Sequence, residues 1–282
     1  MNVVTSAAAM SQIATEARSS GKKIAFVPTM GALHDGHLAL MREAGKHGDV
    51  VVVSIFVNPK QFNDPKDFEK YTRDLESDLK KCEGAGVDAV FTPPVGEMYP
   101  EHDSSPEVPL PDVAKPLEGK FRPGHFEGVV AVVSRLLRIV QPDVAVFGMK
   151  DYQQVRVIEE MVAAANFPIR IVRYQTVREA DGLAMSSRNV RLSSQGRQTA
   201  SFLSKTLKAA EYLFQKGERN PAVIATKIEE ALAKEKIKID YIAVVDAVTL
   251  EVPASLERPS LVAIAAFVEG VRLIDNCILS VA

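Results

Sequence analysis

PTMGALHDGHLAL, residues 28–40, lies between the apolar run IAFV, residues 24–27, and a helical pattern that resumes at Leu38, Met41 and Ala44. A continuous run of β-formers followed by a 3.6-residue period is a strand-to-helix switch, the repeating unit of an α/β fold. HDGH, His34 to His37, therefore straddles a helix start, where main-chain N–H groups lack intrahelical partners and carry partial positive charge. Gly31 and Gly36 would let a ligand approach the backbone, and two imidazoles at i and i+3 would act together on charge that develops in phosphoryl transfer. Taken alone, the four-residue pattern equally describes a polar helix cap or half a metal site. The other histidines, His47, His102 and His125, and the cysteines Cys82 and Cys277, add no ligand spacing, so structural zinc is not expected.

Working outward, further apolar runs at residues 50–57, 87–91, 144–147 and 169–172 alternate with helical patterns. Unbroken Val and Ile without period-2 alternation predicts parallel strands covered on both faces, with ligands bound beyond their C-terminal ends. Polar groups follow those ends: NPKQF with Gln61, GMKDYQQ with Lys150 and Gln154, and VREADGLAMSSRN with Ser186, Ser187 and Arg188. Lysine is a compact phosphate ligand and SSR offers two hydroxyls beside a planar fork, although a solvated lysine and a helix cap account for the same residues singly. Glutamines donate and accept, which suits a substrate bearing hydroxyls and a carboxylate. Val129, Val133, Leu136 and Val140 predict a core-packing helix stopped by Gln141-Pro142.

The chain has 282 residues, 46% hydrophobic and 25% charged, with a net charge of -2. That balance predicts a globular enzyme and excludes a global nucleic-acid or anionic-membrane footprint. Two cysteines without framework spacing, no secretion signal and no bilayer-length apolar run predict a cytoplasmic location. Residues 93–123 hold eight of the sixteen prolines and predict a long irregular loop, expected to fold over the crevice mouth. From about Val177 a second unit is expected: a helix on Leu203, Leu207, Ala210 and Phe214, another opened by Asn220-Pro221, and strands at 241–245, 261–268 and 271–274. The domains are thus residues 1–176, a Rossmann-like parallel sheet, and 177–282, a smaller α+β domain.

PTMGALHDGH, VSIFVNPKQF, RPGHFEGV, QPDVAVFGMKD with YQQ, DGLAMSSRN and RLIDN, in that order, resemble the pantoate–β-alanine ligase family of the HIGH-type nucleotidylyltransferase superfamily. The resemblance covers nearly the whole length. It implies ATP as co-substrate with Mg²⁺, pantoate and β-alanine as substrates, a pantoyl adenylate intermediate, and a homodimer. The family's ATP site then falls on Met30, Gly31, Ala32, Leu33, His34, Asp35, Gly36, His37, Gly148, Met149, Lys150, Asp151, Val177, Met185, Ser186, Ser187 and Arg188. The resemblance gives His37 a proton-donor role, and stabilising phosphoryl charge is the more economical task for His34 and His37. Lys150, Ser186, Ser187 and Arg188 would share the β and γ phosphates, and Gln61 and Gln154 would hold pantoate. Met149 stands where the family carries a polar residue, Thr72 where it carries proline, and Ser77-Asp78 keeps one acidic residue where relatives can show two. The Mg²⁺ ligands are left unassigned, with Asp78 expected as an exposed helix carboxylate or an indirect contact to metal or β-alanine. A nucleotidylyltransferase with the same turn, which releases only pyrophosphate, and a non-catalytic nucleotide-binding regulator are the other classes considered.

Overall fold

The structure is a computed structural model that describes residues 1–63, 65–102 and 107–280. The chain forms two compact units, one of Met1–Met149 with Gln153–Gln175, the other of Lys150–Tyr152 with the chain from Thr176 onward.

The first unit is built on strands β1 (Asn2–Val4), β2 (Ile24–Thr29), β3 (Val50–Ile55), β4 (Ala89–Phe91), β5 (Val144–Gly148) and β6 (Arg170–Tyr174). They lie in the order β1-β4-β3-β2-β5-β6, every neighbouring pair parallel. Ile24, Ala25, Phe26 and Val27 are all fully buried, which requires cover on both faces and accounts for the lack of alternation in the sequence. Chain order reverses between β2, whose other neighbour is β3, and β5, which leads on to β6. The turns leaving β2 and β5 therefore open at the switch point where parallel sheets bind ligands.

Several boundaries differ from expectation. β1 is too short to display a period, so it escapes pattern reading. β4 starts at Ala89 rather than at residue 87, because Gly86 (φ +76°) turns the preceding helix back and the Val87 amide bonds to the Cys82 carbonyl. The proline-rich segment is not wholly irregular. It contains helical turns at Val95–Met98, Asp112–Ala114 and Glu118–Phe121, since proline before or at a first helical position promotes a helix start. Gln153 pins its later part by donating to the Val113 and Pro116 carbonyls and accepting from the Glu118 amide. Residues 103–106 of that segment lie outside the described residues.

In the second unit, β7 (Lys238–Asp246), β8 (Ser260–Val268) and β9 (Val271–Leu279) form an antiparallel sheet. Glu269 (φ +50°) and Gly270 (φ +76°) make the two-residue turn between β8 and β9, both left-handed as a tight hairpin demands. β7 and β9 run beyond their expected ends. Helices Phe202–Gln215 and Pro221–Lys234 bury Leu203, Leu207, Phe214, Ile224, Ile228 and Leu232 against Val262, Ile264 and Ala266, each large side chain contributing about 2 kcal/mol. The Asn220 side chain caps the second helix by accepting from the Ala222 amide, with Pro221 in the first turn. Among the described residues no helix is long and apolar enough to cross a membrane.

Candidate active site

β2 ends at Thr29, and the chain reverses through Gly31 (φ +75°) and Ala32 (φ +50°) before helix Asp35–Ala44 begins. A Cβ on Gly31 would lie 2.9 Å from Asp78 Oδ2 and 3.1 Å from Ile55 Cγ2, so both conformation and space require glycine. Asp78 is the anchor of this turn. Its side-chain oxygens accept from the Ala32 amide (2.9 Å) and the Leu33 amide (2.8 Å), while Lys81 Nζ donates to the Leu33 carbonyl (2.8 Å). At 2% exposure Asp78 is not the exposed helix carboxylate expected from the sequence. Helix Leu75–Gly84 is polar along most of its length, and nothing local distinguishes the one carboxylate that points inward.

The same geometry narrows the anion site expected over the whole turn. The Gly31 amide donates to Thr29 Oγ1, those of Ala32 and Leu33 to Asp78, and that of His34 to His37 Nδ1 (3.3 Å). Asp35 and Gly36, at the first two helical positions, supply the amides that the helix itself does not use. Because an N–H donates to Nδ1, the neutral His37 ring carries its proton on Nε2, where it is a donor. The two imidazole centroids are 4.1 Å apart with a 35° tilt, so His34 and His37 do lie on one side of the first turn. Gly36 is an ordinary helical residue and is not in a glycine-requiring conformation.

Gln61 lies in a 3₁₀ turn, Pro59–Gln61, capped by Asn58, and is only 8% exposed. Asn58 is fully buried and its orientation is unambiguous: Oδ1 accepts from the Lys60 amide and the Tyr99 hydroxyl, and Nδ2 donates to the Gly128 carbonyl. That Nδ2 also donates to Gln61 Oε1 (3.0 Å), so Gln61 must turn Nε2 the other way, toward Met30 Sδ. Burial pushes the Tyr99 phenol up to about 12, which keeps the proton it gives to Asn58. From below, His125 Nδ1 donates to the Gln61 carbonyl (2.9 Å), with Arg122 Nη1 against His125 Nε2 (3.2 Å). A Cβ on Gly128 would fall 2.4 Å from the Lys60 carbonyl oxygen, so helix His125–Val140 packs backbone to backbone on this turn. NPKQF and RPGHFEG are thus one interlocked structure. Asn58 and His125 were not singled out from the sequence; a glycine early in an otherwise apolar helix is the available sign of close approach.

Gly148 ends β5 and Met149 opens the following 3₁₀ turn within the first unit, while Lys150 and Asp151 belong to the second. Lys150 Nζ stands 3.8 Å from Asp151 Oδ2, too loose and exposed to hold it strongly. Val177 and Met185 are bonded, the Met185 amide donating to the Val177 carbonyl (2.9 Å), and Arg178 bridges Ala184, so residues 177–185 form a small hairpin. It delivers Ser186, Ser187 and Arg188 in a 3₁₀ turn, Ser187–Arg191, where Ser186 Oγ accepts from the Arg188 amide. Ser186 is therefore a cap, and its hydroxyl proton remains a donor. Gln154 is half-buried in helix Tyr152–Ala164, beside the structural Gln153. The structure thus joins Met30–His37 to Gln61 in one unit, and Val177 to residues 185–188 in the other. Cys82 supplies no nucleophile, since burial and then Asp78 push its thiol up to about 11.

The pantoate-beta-alanine ligase family profile matches residues 2–278. Pantothenate synthetase of Thermoanaerobacter sp. (strain X514) is 52% identical over 265 residues, covering 94% of this chain and 93% of its own. The Thermotoga neapolitana enzyme of the same name is 48% identical over 284 residues, covering 99% and 100%. Among solved structures, pantothenate synthetase from Thermus thermophilus matches with a TM-score of 0.91 at 41% identity, covering 98% of this chain and 99% of that one. Pantoate-beta-alanine ligase from Francisella tularensis, solved with beta-gamma ATP and beta-alanine, matches at 0.81 with 34% identity, covering 98% and 97%.

Proposed function

This chain belongs to the pantoate-beta-alanine ligase family, and we propose that it condenses (R)-pantoate with β-alanine, using ATP, to give pantothenate, AMP and pyrophosphate. The carboxylate of pantoate attacks the α-phosphorus and pyrophosphate departs, giving pantoyl adenylate. The β-alanine amine then attacks the acyl carbon and AMP departs. No protein nucleophile is required. The observation that carries the reading is the latch at the helix start. With Nδ1 occupied by the His34 amide, His37 offers Nε2–H as a fixed donor beside the Asp35 and Gly36 amides, suited to charge growing on phosphoryl oxygens.

Lys150, Ser186, Ser187 and Arg188 neutralise the β and γ phosphates and stabilise the departing pyrophosphate. Gln61 and Gln154 hold pantoate through their amides. The chain does not fit a resident Mg²⁺ site: both oxygens of Asp78 are engaged by backbone amides, and no three His, Cys, Asp or Glu residues cluster among the described residues. Mg²⁺ therefore enters with the triphosphate, whose oxygens supply the hard ligands it prefers. A homodimer in the cytoplasm belongs to the same proposal.

Product analysis tests it. With ATP and pantoate alone, pyrophosphate should appear without sustained AMP release, and β-alanine should start AMP turnover. A nucleotide transferred to a phosphate acceptor, with pyrophosphate as the only leaving product, would overturn the proposal.

A further inference from the structure

RLIDN, residues 272–276, is a shared motif to which the proposed chemistry gives no task. It lies in β9, and its last two residues hold two separate pieces of the second unit. Asp275, 2% exposed, receives the Arg178 guanidinium on both oxygens (2.7 and 2.9 Å) and the Asn276 amide on Oδ1 (2.8 Å). Arg178 Nη1 also donates to the Gly182 carbonyl (3.1 Å), closing the hairpin that delivers residues 186–188. Next along the strand, Asn276 Nδ2 donates to the Lys150 carbonyl (2.8 Å), and Tyr152 secures the same turn by donating to the Ala247 carbonyl (2.8 Å). Successive side chains on a strand leave on opposite faces, so a single Asp-Asn step reaches both pieces.

We propose that Asp275 and Asn276 are positioning residues that set the separation between Lys150 and the Ser186–Ser187–Arg188 turn, holding them as one preformed polyphosphate clamp. This rests on the assignment of those groups to the β and γ phosphates. Two cations on independent loops would each have to be ordered on binding, whereas groups bolted to one rigid strand are ordered beforehand. Lysine reaches its phosphate through a flexible stem, so the position of its backbone decides where the charge can go.

Asn276→Asp tests the idea, since it keeps shape but sets an oxygen against the Lys150 carbonyl. Pantoate-dependent ATP–pyrophosphate exchange should fall about ten- to a hundredfold, the range for a misplaced catalytic group. Aminolysis of preformed pantoyl adenylate by β-alanine should stay within about twofold, because pyrophosphate has already left at that stage. In a Lys150→Ala background the substitution should cost nothing further. Asn276→Ser, which withdraws the donor, should behave alike and serves if the aspartate variant does not fold. Normal exchange, an equal loss in both half-reactions, or additivity with Lys150→Ala would overturn the proposal. Unchanged exchange in Lys150→Ala alone would instead remove the phosphate assignment beneath it.

Discussion

Asp78→Ala removes the anchor of the turn before the imidazole pair, and its cost can be estimated from the contacts. Two hydrogen bonds to a carboxylate, at 2.8 and 2.9 Å, are worth about 1.5–3 kcal/mol each. Losing the buried charge recovers part of its desolvation penalty, so the net destabilisation should be about 2–4 kcal/mol. In urea this should lower the unfolding midpoint by about 1 M with little change in slope. Activity should suffer separately. Ala32 holds a left-handed conformation that costs on the order of 1 kcal/mol and persists because Asp78 receives its amide. Once released, the turn can relax and carry the first helical turn with it, and a displacement near 1 Å typically costs about a hundredfold. Asp78→Asn keeps one acceptor but turns an NH₂ toward the other amide, so it should fall between wild type and alanine. The assays are urea denaturation and pantoate-dependent ATP–pyrophosphate exchange on the same preparations. An alanine variant with the wild-type midpoint and wild-type exchange would refute the anchoring argument.

His37→Ala should slow adenylate formation by about two to three powers of ten while the fold persists, because one preorganised donor is withdrawn from a ring that packs on His34 at the helix surface. Near-normal exchange with native circular dichroism would take His37 out of the chemistry. Gly128→Ala gains about 1 kcal/mol of helix propensity yet places a methyl 2.4 Å from the Lys60 carbonyl oxygen and 2.8 Å from the Gln61 nitrogen. The clash with backbone should win by about 1–3 kcal/mol, lowering the melting temperature and raising KM for pantoate more than KM for ATP; an unchanged KM for pantoate would show that the Pro59–Gln61 turn does not govern that site.

What could be read from the sequence was whatever local periodicity encodes. The strand-to-helix switch at residues 24–44, the apolar helix ended at Gln141 and the Asn220-Pro221 helix start each follow from neighbouring residues, and all stand in the structure. The supports of the site could not be read in this way, because they act across long separations. Asp78 reaches back 46 positions to Ala32, His125 spans 64 to Gln61, and Asn276 spans 126 to Lys150. Each is a polar residue whose local setting matches that of many solvated ones, and only the folded chain shows which of them faces inward. The proline-rich segment misled for a related reason: proline marks helix starts as readily as irregular chain, and the choice depended on Gln153 elsewhere.

The series of hydrogen bonds from the Tyr99 hydroxyl through Asn58 to Gln61 has a direction. Backbone groups of Lys60 and Gly128 decide which end of Asn58 is which, so neither carboxamide can flip without losing partners on both sides. Gln61 Oε1 is consequently held toward Asn58, and its amide nitrogen is turned the other way, toward Met30 Sδ. A carboxylate or hydroxyl oxygen is the chemical match for that nitrogen, and an ammonium group, which only donates, is not. Under the role proposed for Gln61, it is the carboxylate or hydroxyl end of a substrate, not an ammonium group, that meets this side chain.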